Sequence, residues 1–281
     1  MALVDPGELA RRAINQSGTL RRIVKSGQVQ HLIQTERAAR ALQPVGRFLA
    51  GQQRRDGVGA YTLRATGTRV HLRHGTRDVH IFNEIFGSAA AAYEPPAEAE
   101  LRLRGPIRVA DVGANVGLFG VYAAGRWDVQ TLHSFEPDPS NLELLAATVA
   151  SHPLGDRWTV SPVAVSNCVG SMPFVAGRFS ESRRATSEED SIDVPMVDFF
   201  DAVGSVDLLK IDIEGGEWRI LDDPRFAALD AAVVVMEWHT VGSSHADPHA
   251  AARAALTDAG LVQQHETPAP HGSNGVIWAW R

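Results

Sequence analysis

One cysteine, Cys168, stands in a chain of 281 residues, so no internal disulfide can form and the paired-cysteine spacing of a structural zinc site is missing. A reducing compartment suits that composition. Long apolar runs are missing too: the longest, Ala231–Met236, falls far short of the roughly 20 residues a membrane-spanning helix needs. The first residues hold no apolar stretch of the kind a secretory signal carries, and the expected location is the cytoplasm. Lysine is nearly absent, with only Lys25 and Lys210 among 27 basic residues. Together with abundant alanine, that bias is associated with GC-rich bacterial genomes and carries no mechanistic content.

What is present is a hydrophobic fraction of 44% against 21% charged, enough for one good-sized core and a smaller appendage. The net charge of −6 is unevenly spread: residues 1–60 hold ten Arg or Lys against four Asp or Glu, leaving the other 221 residues at about −12. An acidic main body speaks against nucleic acid as the principal partner, because phosphate binding needs a clustered positive field, while the basic arm keeps that option open. The basic arm could lie on a membrane surface or on a partner subunit, a second copy of the chain included; the simpler reading is a solvated helical cap.

Residues 5–55 carry helical periodicity, with Asp5 and Pro6 as N-cap and first turn and with Gly18 and Gly27 dividing the run. Tyr61–Thr66 and Arg69–Arg73 alternate apolar and polar residues around Gly67, which predicts a β-hairpin. A lead-in helix follows, capped by Asp78 and presenting Val79, Phe82, Ile85 and Phe86, and then an Ala- and Pro-rich linker. From residue 107 apolar strands alternate with helices, the pattern of a parallel sheet built from βαβ units. Strands are predicted at Ile107–Val112, Thr131–Glu136, Trp158–Val165, Val206–Ile213 and Ala231–Trp238. Helices are predicted to start near Gly117, Asp138, Gly216 and Asp247, and Leu261–Glu266 and Gly275–Trp280 form a closing antiparallel pair. The division is therefore a helical arm over 1–60, a hairpin, lead-in helix and linker over 61–105, and an α/β domain over 106–281.

The segment VADVGANVG, Val109–Gly117, is an apolar strand running through a glycine-bearing turn into a helix, the place where a doubly wound sheet binds a nucleotide-like ligand. Its G-x-x-x-G spacing does not meet the dinucleotide fingerprint G-x-G-x-x-G, which disfavours a nicotinamide-dependent oxidoreductase. Asp111 beside the turn would repel a pyrophosphate but attract the ammonium and sulfonium of S-adenosylmethionine. Glu136 ends the next strand 25 residues later, where an acid can accept both ribose hydroxyls. The bland alternatives are a helix cap for Asp111 and an exposed strand-end charge for Glu136.

Several blocks, in order, resemble the FkbM family of S-adenosylmethionine-dependent methyltransferases: DVGANVG at 111–117, FEPDPSN at 135–141, VAVSN at 163–167, VDLLKIDIEGGEW at 206–218 and VVVMEWH at 233–239. Upstream, LRHGTRDVHIFNEIF at 72–86 is similar to the segment that leads into the domain in that family. The resemblance implies a class I methyltransferase fold, a Rossmann-like sheet of seven strands, mostly parallel, with the last strand antiparallel. Carried over by position, Asp111, Gly113, Ala114, Asn115 and Gly117 would surround the methionine part of S-adenosylmethionine. Glu136 would take the ribose with Pro137 and Asn141 supporting that turn, and Ala164 and Val165 would border the adenine. Residues 1–60 have no clear counterpart.

At the far edge, period-two alternation puts Lys210, Asp212 and Glu214 on one side of the strand, opposite Leu209, Ile211 and Ile213. Three charges on one face of a central strand are costly unless paired or functional. Lys210 either neutralises a neighbouring carboxylate or serves the substrate. The following strand delivers Glu237, Trp238 and His239 to the same edge, Trp238 as core or pocket wall. His239 suits a general base, its bland alternative being a capping or core histidine; with Asp212 and Glu214 it forms the catalytic set, any of the three being open to the role of base. The same three residues could instead hold a divalent cation; metal-free catalysis is favoured, no metal site being assigned. His245 and His249 share helical spacing but lack a catalytic glutamate, so a solvated helix start is expected there.

The function expected is O-methyl transfer to a hydroxyl of a sugar, polyketide or related bacterial natural product. The lead-in segment at 72–86 and the stretch 178–192 would together form a lid, the latter being alternatively a disordered surface loop. A cofactor-binding protein without catalysis, using its basic arm for a partner or membrane, is the alternative from another class, and N-methylation is disfavoured.

Overall fold

The computed structural model describes residues 27–87, 92–177, 183–184, 191–268 and 272–281. Asp5, Pro6, Gly18 and the first part of the arm therefore lie outside the described residues, as does most of 178–192.

The described chain opens with helix α1 (Gly27–Ala41), strand β1 (Leu42–Gln43), helix α2 (Val45–Arg54), strands β2 (Val58–Leu63) and β3 (Arg69–Arg73) and helix α3 (Asp78–Phe86). The expected hairpin is present, and it takes a third antiparallel strand from the arm through the Leu42–Leu63 register. Asp78 does not cap α3. It is the first helical residue, and its carboxylate turns back to accept the Arg73 backbone N–H at 2.9 Å and the guanidinium at 3.0 Å. The buried guanidinium offers a charged, bidentate fork where the helix end offers only neutral N–H groups, and it takes the carboxylate. Leu42, Phe48, Tyr61, Val70 and Phe82 join Leu132, Trp158 and Trp278 in a single buried core, so the N-terminal unit covers one face of the main sheet.

The main body continues with α4 (Ala97–Glu100), β4 (Ile107–Val112), α5 (Leu118–Arg126), β5 (Val129–Phe135), α6 (Pro139–Ala150) and β6 (Trp158–Ser161). After a second sheet come α7 (Phe199–Val203), β11 (Val206–Ile211), α8 (Trp218–Leu221), β12 (Ala231–His239), α9 (Pro248–Asp258), β13 (Gln263–Pro268) and β14 (Asn274–Trp280). The seven strands lie in the order β13-β14-β12-β11-β4-β5-β6. Neighbours from β12 to β6 are parallel, while β14 runs antiparallel to both β12 and β13. This is the class I methyltransferase arrangement, mostly parallel with the last strand antiparallel. Val233, Val234, Val235 and Met236 are all fully buried, which is why β12 reads as a continuous apolar run: a central parallel strand is covered on both faces. Asp138 caps α6 by accepting the Ser140 N–H, and Pro139 presets the first turn. The chain turns one way from β4 and the other from β11, so the crevice at their carboxyl ends is the topological switch point.

The strand expected over Trp158–Val165 is two strands. β6 stops at Ser161; Pro162 has no N–H to donate, and β7 (Ala164–Ser166) leaves for a second sheet. There it joins β8 (Gly170–Val175), β9 (Arg183–Arg184) and β10 (Ile192–Asp198) in the order β7-β10-β8-β9. Pro173 and Pro195 inside two of these strands masked them from pattern reading. Likewise β11 ends at Ile211, two residues before expectation, and residues 212–216 form a turn before the short α8. Among the described residues no helix is long and apolar enough to cross a membrane.

Candidate active site

A cavity of about 590 Å³ opens at the carboxyl ends of β4, β5, β11 and β12. Ile81, Glu84 and Ile85 of α3 close one side, and Met172 and Phe174 of the second sheet close another.

At one end lies the β4 turn. Gly113 and Gly117 adopt φ of 82° and 85°, and Asn115 between them 51°. A Cβ on Gly113 would sit 1.8 Å from the Asp212 carbonyl oxygen, so the two strand ends approach this closely only with glycine there. Glu136 reaches across: it accepts the N–H of Asn115 at 2.7 Å, the N–H of Asp138 at 2.8 Å and the Asn141 amide at 3.3 Å. Burial pushes its carboxyl up to about 7 even though these donors pull the other way. Pro137, Ala164 and Val165 line the same end with Val163, Met172 and Phe174.

Two residues expected at this end do not line the cavity. Asp111 is fully buried beneath the turn, 3.4 Å from Lys210 Nζ. Lys210 stands over it, donating to the carbonyl oxygens of Val112 and Gly113 and lying 3.7 Å from Asp212. Lys210 is paired in this way and also lines the cavity. Gly117 is the N-cap of α5, and a Cβ there would meet Leu145 at 2.7 Å, a packing constraint rather than a ligand contact.

At the other end Asp212, Glu214 and His239 come together, as expected, and Glu237 joins them. Glu214 occupies the left-handed region at φ 52°. His239 Nε2 lies 3.4 Å from Glu214 and 3.8 Å from Glu237, while its Nδ1 lies 3.1 Å from Glu217. Tyr93 donates its hydroxyl to Asp212 at 3.2 Å, and the Asn274 amide donates to Glu237. Burial and then the Asp212 charge raise Glu214 to about 7 and Glu237 to about 8. For His239 burial opposes the charge, but the Glu217 hydrogen bond and charge, with Asp212 and Glu214, outweigh it and lift the imidazole to about 10. The Glu217 hydrogen bond and the surrounding carboxylates thus favour the protonated imidazole of His239, which weighs against its acting as a free base. The donor atoms of Asp212, Glu214 and His239 lie within 4.8 Å of one another, so they could also converge on a divalent cation.

Glu217, Tyr93 and Asn274 were not singled out from sequence, and Glu237 was placed at this edge without a role. Glu217 and Glu237 sit inside the blocks EGGEW and VVVMEWH, where the signal was available; Tyr93 and Asn274 arrive only by tertiary folding. His245 and His249 lie outside the cavity, each 2.7 Å from its own carboxylate, Asp222 and Glu266.

A profile of the methyltransferase FkbM domain matches residues 111–261. No protein of curated function matches the chain. Among solved structures, methyltransferase FkbM from Methylobacillus flagellatus KT is similar at 18% identity over 63% of this chain and 45% of its own length, with a TM-score of 0.42. The chain thus spans less than half of that protein. Precorrin-6y C5,15-methyltransferase from Geobacter metallireducens GS-15 is similar at 14% identity over 66% of this chain and 86% of its own, with a TM-score of 0.39. The matched span, 111–261, runs from the first strand end through the glycine turn and both acidic strand ends and takes in more than half of the chain: the protein belongs to the FkbM methyltransferase family.

Proposed function

We propose that the protein is an S-adenosylmethionine-dependent O-methyltransferase acting on a hydroxyl of a sugar, polyketide or related bacterial natural product. The observation that carries this reading is one cavity with two chemically distinct ends: an apolar slot with Glu136 at its rim, and a cluster of three carboxylates around His239. The chemistry of the first end fits a nucleoside. Phe135, Val163, Val165 and Phe174 suit a base, and Glu136, which accepts two backbone N–H groups and the Asn141 amide, keeps one acceptor site open toward the cavity for the ribose diol. Gly113, Ala114, Asn115, Pro137, Asn141, Ala164 and Val165 complete that end, with Asp111 and Gly117 shaping the turn from beneath. When bound, the cofactor supplies an electrophilic methyl group on a positively charged sulfur.

The protein's own part is to align the acceptor and take its proton. Glu214, raised to about 7, is matched to that task near neutral pH, and the acceptor O–H passes its proton to this carboxylate. His239, kept charged by Glu217, balances the negative charge that gathers among Asp212, Glu214 and Glu237. Asp212, tied to Tyr93 and Lys210, accepts a hydrogen bond from a neighbouring hydroxyl of the acceptor and so orients the reacting one toward Glu214. This reading is metal-free. A small-molecule rather than nucleic-acid acceptor, cytoplasmic location, self-association through the arm and the division at 60/61 and 105/106 belong to it as well; these rest on sequence alone.

The test is calorimetry with S-adenosylmethionine and with NAD, then methyl transfer from labelled donor over a panel of sugar and polyketide acceptors. Micromolar binding of NAD with none of S-adenosylmethionine would overturn the assignment. Stoichiometric cofactor binding without transfer to any acceptor would favour a binding protein that does no catalysis.

A further inference from the structure

We infer that Arg73, which lies outside the matched FkbM span, is a positioning residue for Glu136, so that recognition of the cofactor's ribose depends on the N-terminal hairpin. The inference rests on reading Glu136 as the acceptor of the ribose diol.

Arg73 closes β3 with its side chain only 8% exposed, and Asp78 beside it is fully buried. Nε and Nη2 of the guanidinium both donate to Asp78, at 3.0 Å each, a fork that satisfies the ion pair by itself. The remaining nitrogen, Nη1, donates to Oδ1 of Asn141 at 2.8 Å. That contact has a directional consequence. A guanidinium offers only donors, so Asn141 must face it with the carbonyl oxygen, and the amide nitrogen is thereby turned toward Glu136 Oε1, 3.3 Å away. Arg73 and Glu136 select the same orientation of the amide, since the flipped one would set the Asn141 oxygen against the carboxylate and its nitrogen against the guanidinium.

Glu136 thus takes donors from three segments: the first turn through Asn115, its own turn through Asp138, and Asn141, whose amide is held from the hairpin. The first two are backbone groups fixed by the βα turns. The third is a side chain, which Arg73 holds from its other end. His71, two residues earlier on β3, lies 3.2 Å from Thr148 Oγ1 on the same helix as Asn141, so strand and helix are registered at a second point. The hairpin therefore does more than cover the sheet: its last residue sets one of the contacts that hold the carboxylate.

The experiment is calorimetry with 5′-methylthioadenosine and with its 2′,3′-dideoxy counterpart, the ratio of their Kd values measuring what the diol contributes. Four proteins are compared with the wild type: Glu136→Gln, Asn141→Asp, Arg73→Lys, which keeps the charge against Asp78, and Arg73→Met/Asp78→Leu, which removes both charges together. The wild type should prefer the diol by about 10- to 100-fold, and Glu136→Gln should collapse that preference. Arg73→Lys, the double variant and Asn141→Asp should each lower it by about tenfold while changing the Kd of the dideoxy ligand by less than about threefold. If Glu136→Gln keeps the preference, the ribose reading falls and the inference with it. If Glu136→Gln loses the preference but the folded Arg73 variants keep it, the inference alone falls. Equal weakening of both ligands would mark Arg73 as a structural residue only and would also overturn it.

Discussion

His239 Nδ1 lies 3.1 Å from Oε1 of Glu217, and the same oxygen accepts the His239 backbone N–H at 2.8 Å. Glu217 is fully buried, and its other oxygen takes the N–H of Gly215. One carboxylate therefore fixes the ring, the strand end that carries it and the glycine turn opposite. It also decides the charge of the ring, because an imidazolium can donate from Nδ1 to Glu217 while Nε2 faces Glu214 and Glu237.

Replacing Glu217 by Gln keeps the shape and removes the charge. His239 should then titrate well below its present value of about 10, and turnover should fall by about 10- to 100-fold with cofactor affinity changed less than about threefold. Histidine NMR titration alongside steady-state kinetics checks both. An unmoved His239 titration would show that Glu217 does not hold the proton.

The carboxyl of Glu136 is raised from 4.5 to about 7 by burial. The folded, ligand-free protein thus holds this proton more tightly than the unfolded chain. Its contribution to stability is full below 4.5 and is lost as pH rises through about 7. Ribose hydroxyls donate to the charged form, so binding must release the proton at lower pH. The affinity for 5′-methylthioadenosine should therefore rise by up to about tenfold per unit as pH increases toward 7 and level off above it. Calorimetry in buffers of different ionisation enthalpy should count close to one proton released at pH 6. A flat profile would contradict the ribose contact.

Glu214 as proton acceptor predicts that kcat/KM climbs with pH through about 7, since only the ionised carboxylate can take the acceptor's proton. Glu214→Gln should reduce kcat by about 100-fold and leave cofactor binding in place. Chelator treatment of the wild type should change neither parameter. Loss of turnover on chelation, restored by added Mg²⁺ or Mn²⁺, would transfer the role of Asp212, Glu214 and His239 from proton transfer to metal binding.

Gly113→Ala places a methyl group 1.8 Å from the Asp212 carbonyl in a backbone conformation with φ of 82°. The two central strand ends would have to part. The expected cost is at least about 2 kcal/mol of stability, with cofactor affinity falling by tenfold or more. Chemical denaturation with parallel calorimetry measures both, and a variant of unchanged stability would mean that the turn is looser than it stands here.

Both the alternation of apolar strands with helices and the acids at the strand ends are local properties, and they were legible in the sequence. Backbone period and turn chemistry in VADVGANVG and LLKIDIEGG are set by neighbours within a few residues, so the strands, the glycine turn and the convergence of Asp212, Glu214 and His239 could be read directly. The strand interrupted at Pro162, the second sheet and the burial of Asp111 under Lys210 could not. They depend on which chain segments pack together. The same holds for the charge on His239: its residue type suggested a base, but its protonation follows from Glu217, Glu214 and Asp212, carboxylates brought around it by separate turns. The amino-acid order established which chemistry is available at this cleft. Only the packing of β3, α6 and the β11–β12 ends against one another decided which groups hold the protons and which way Asn141 points, because desolvation and hydrogen-bond direction exist only once those surfaces meet.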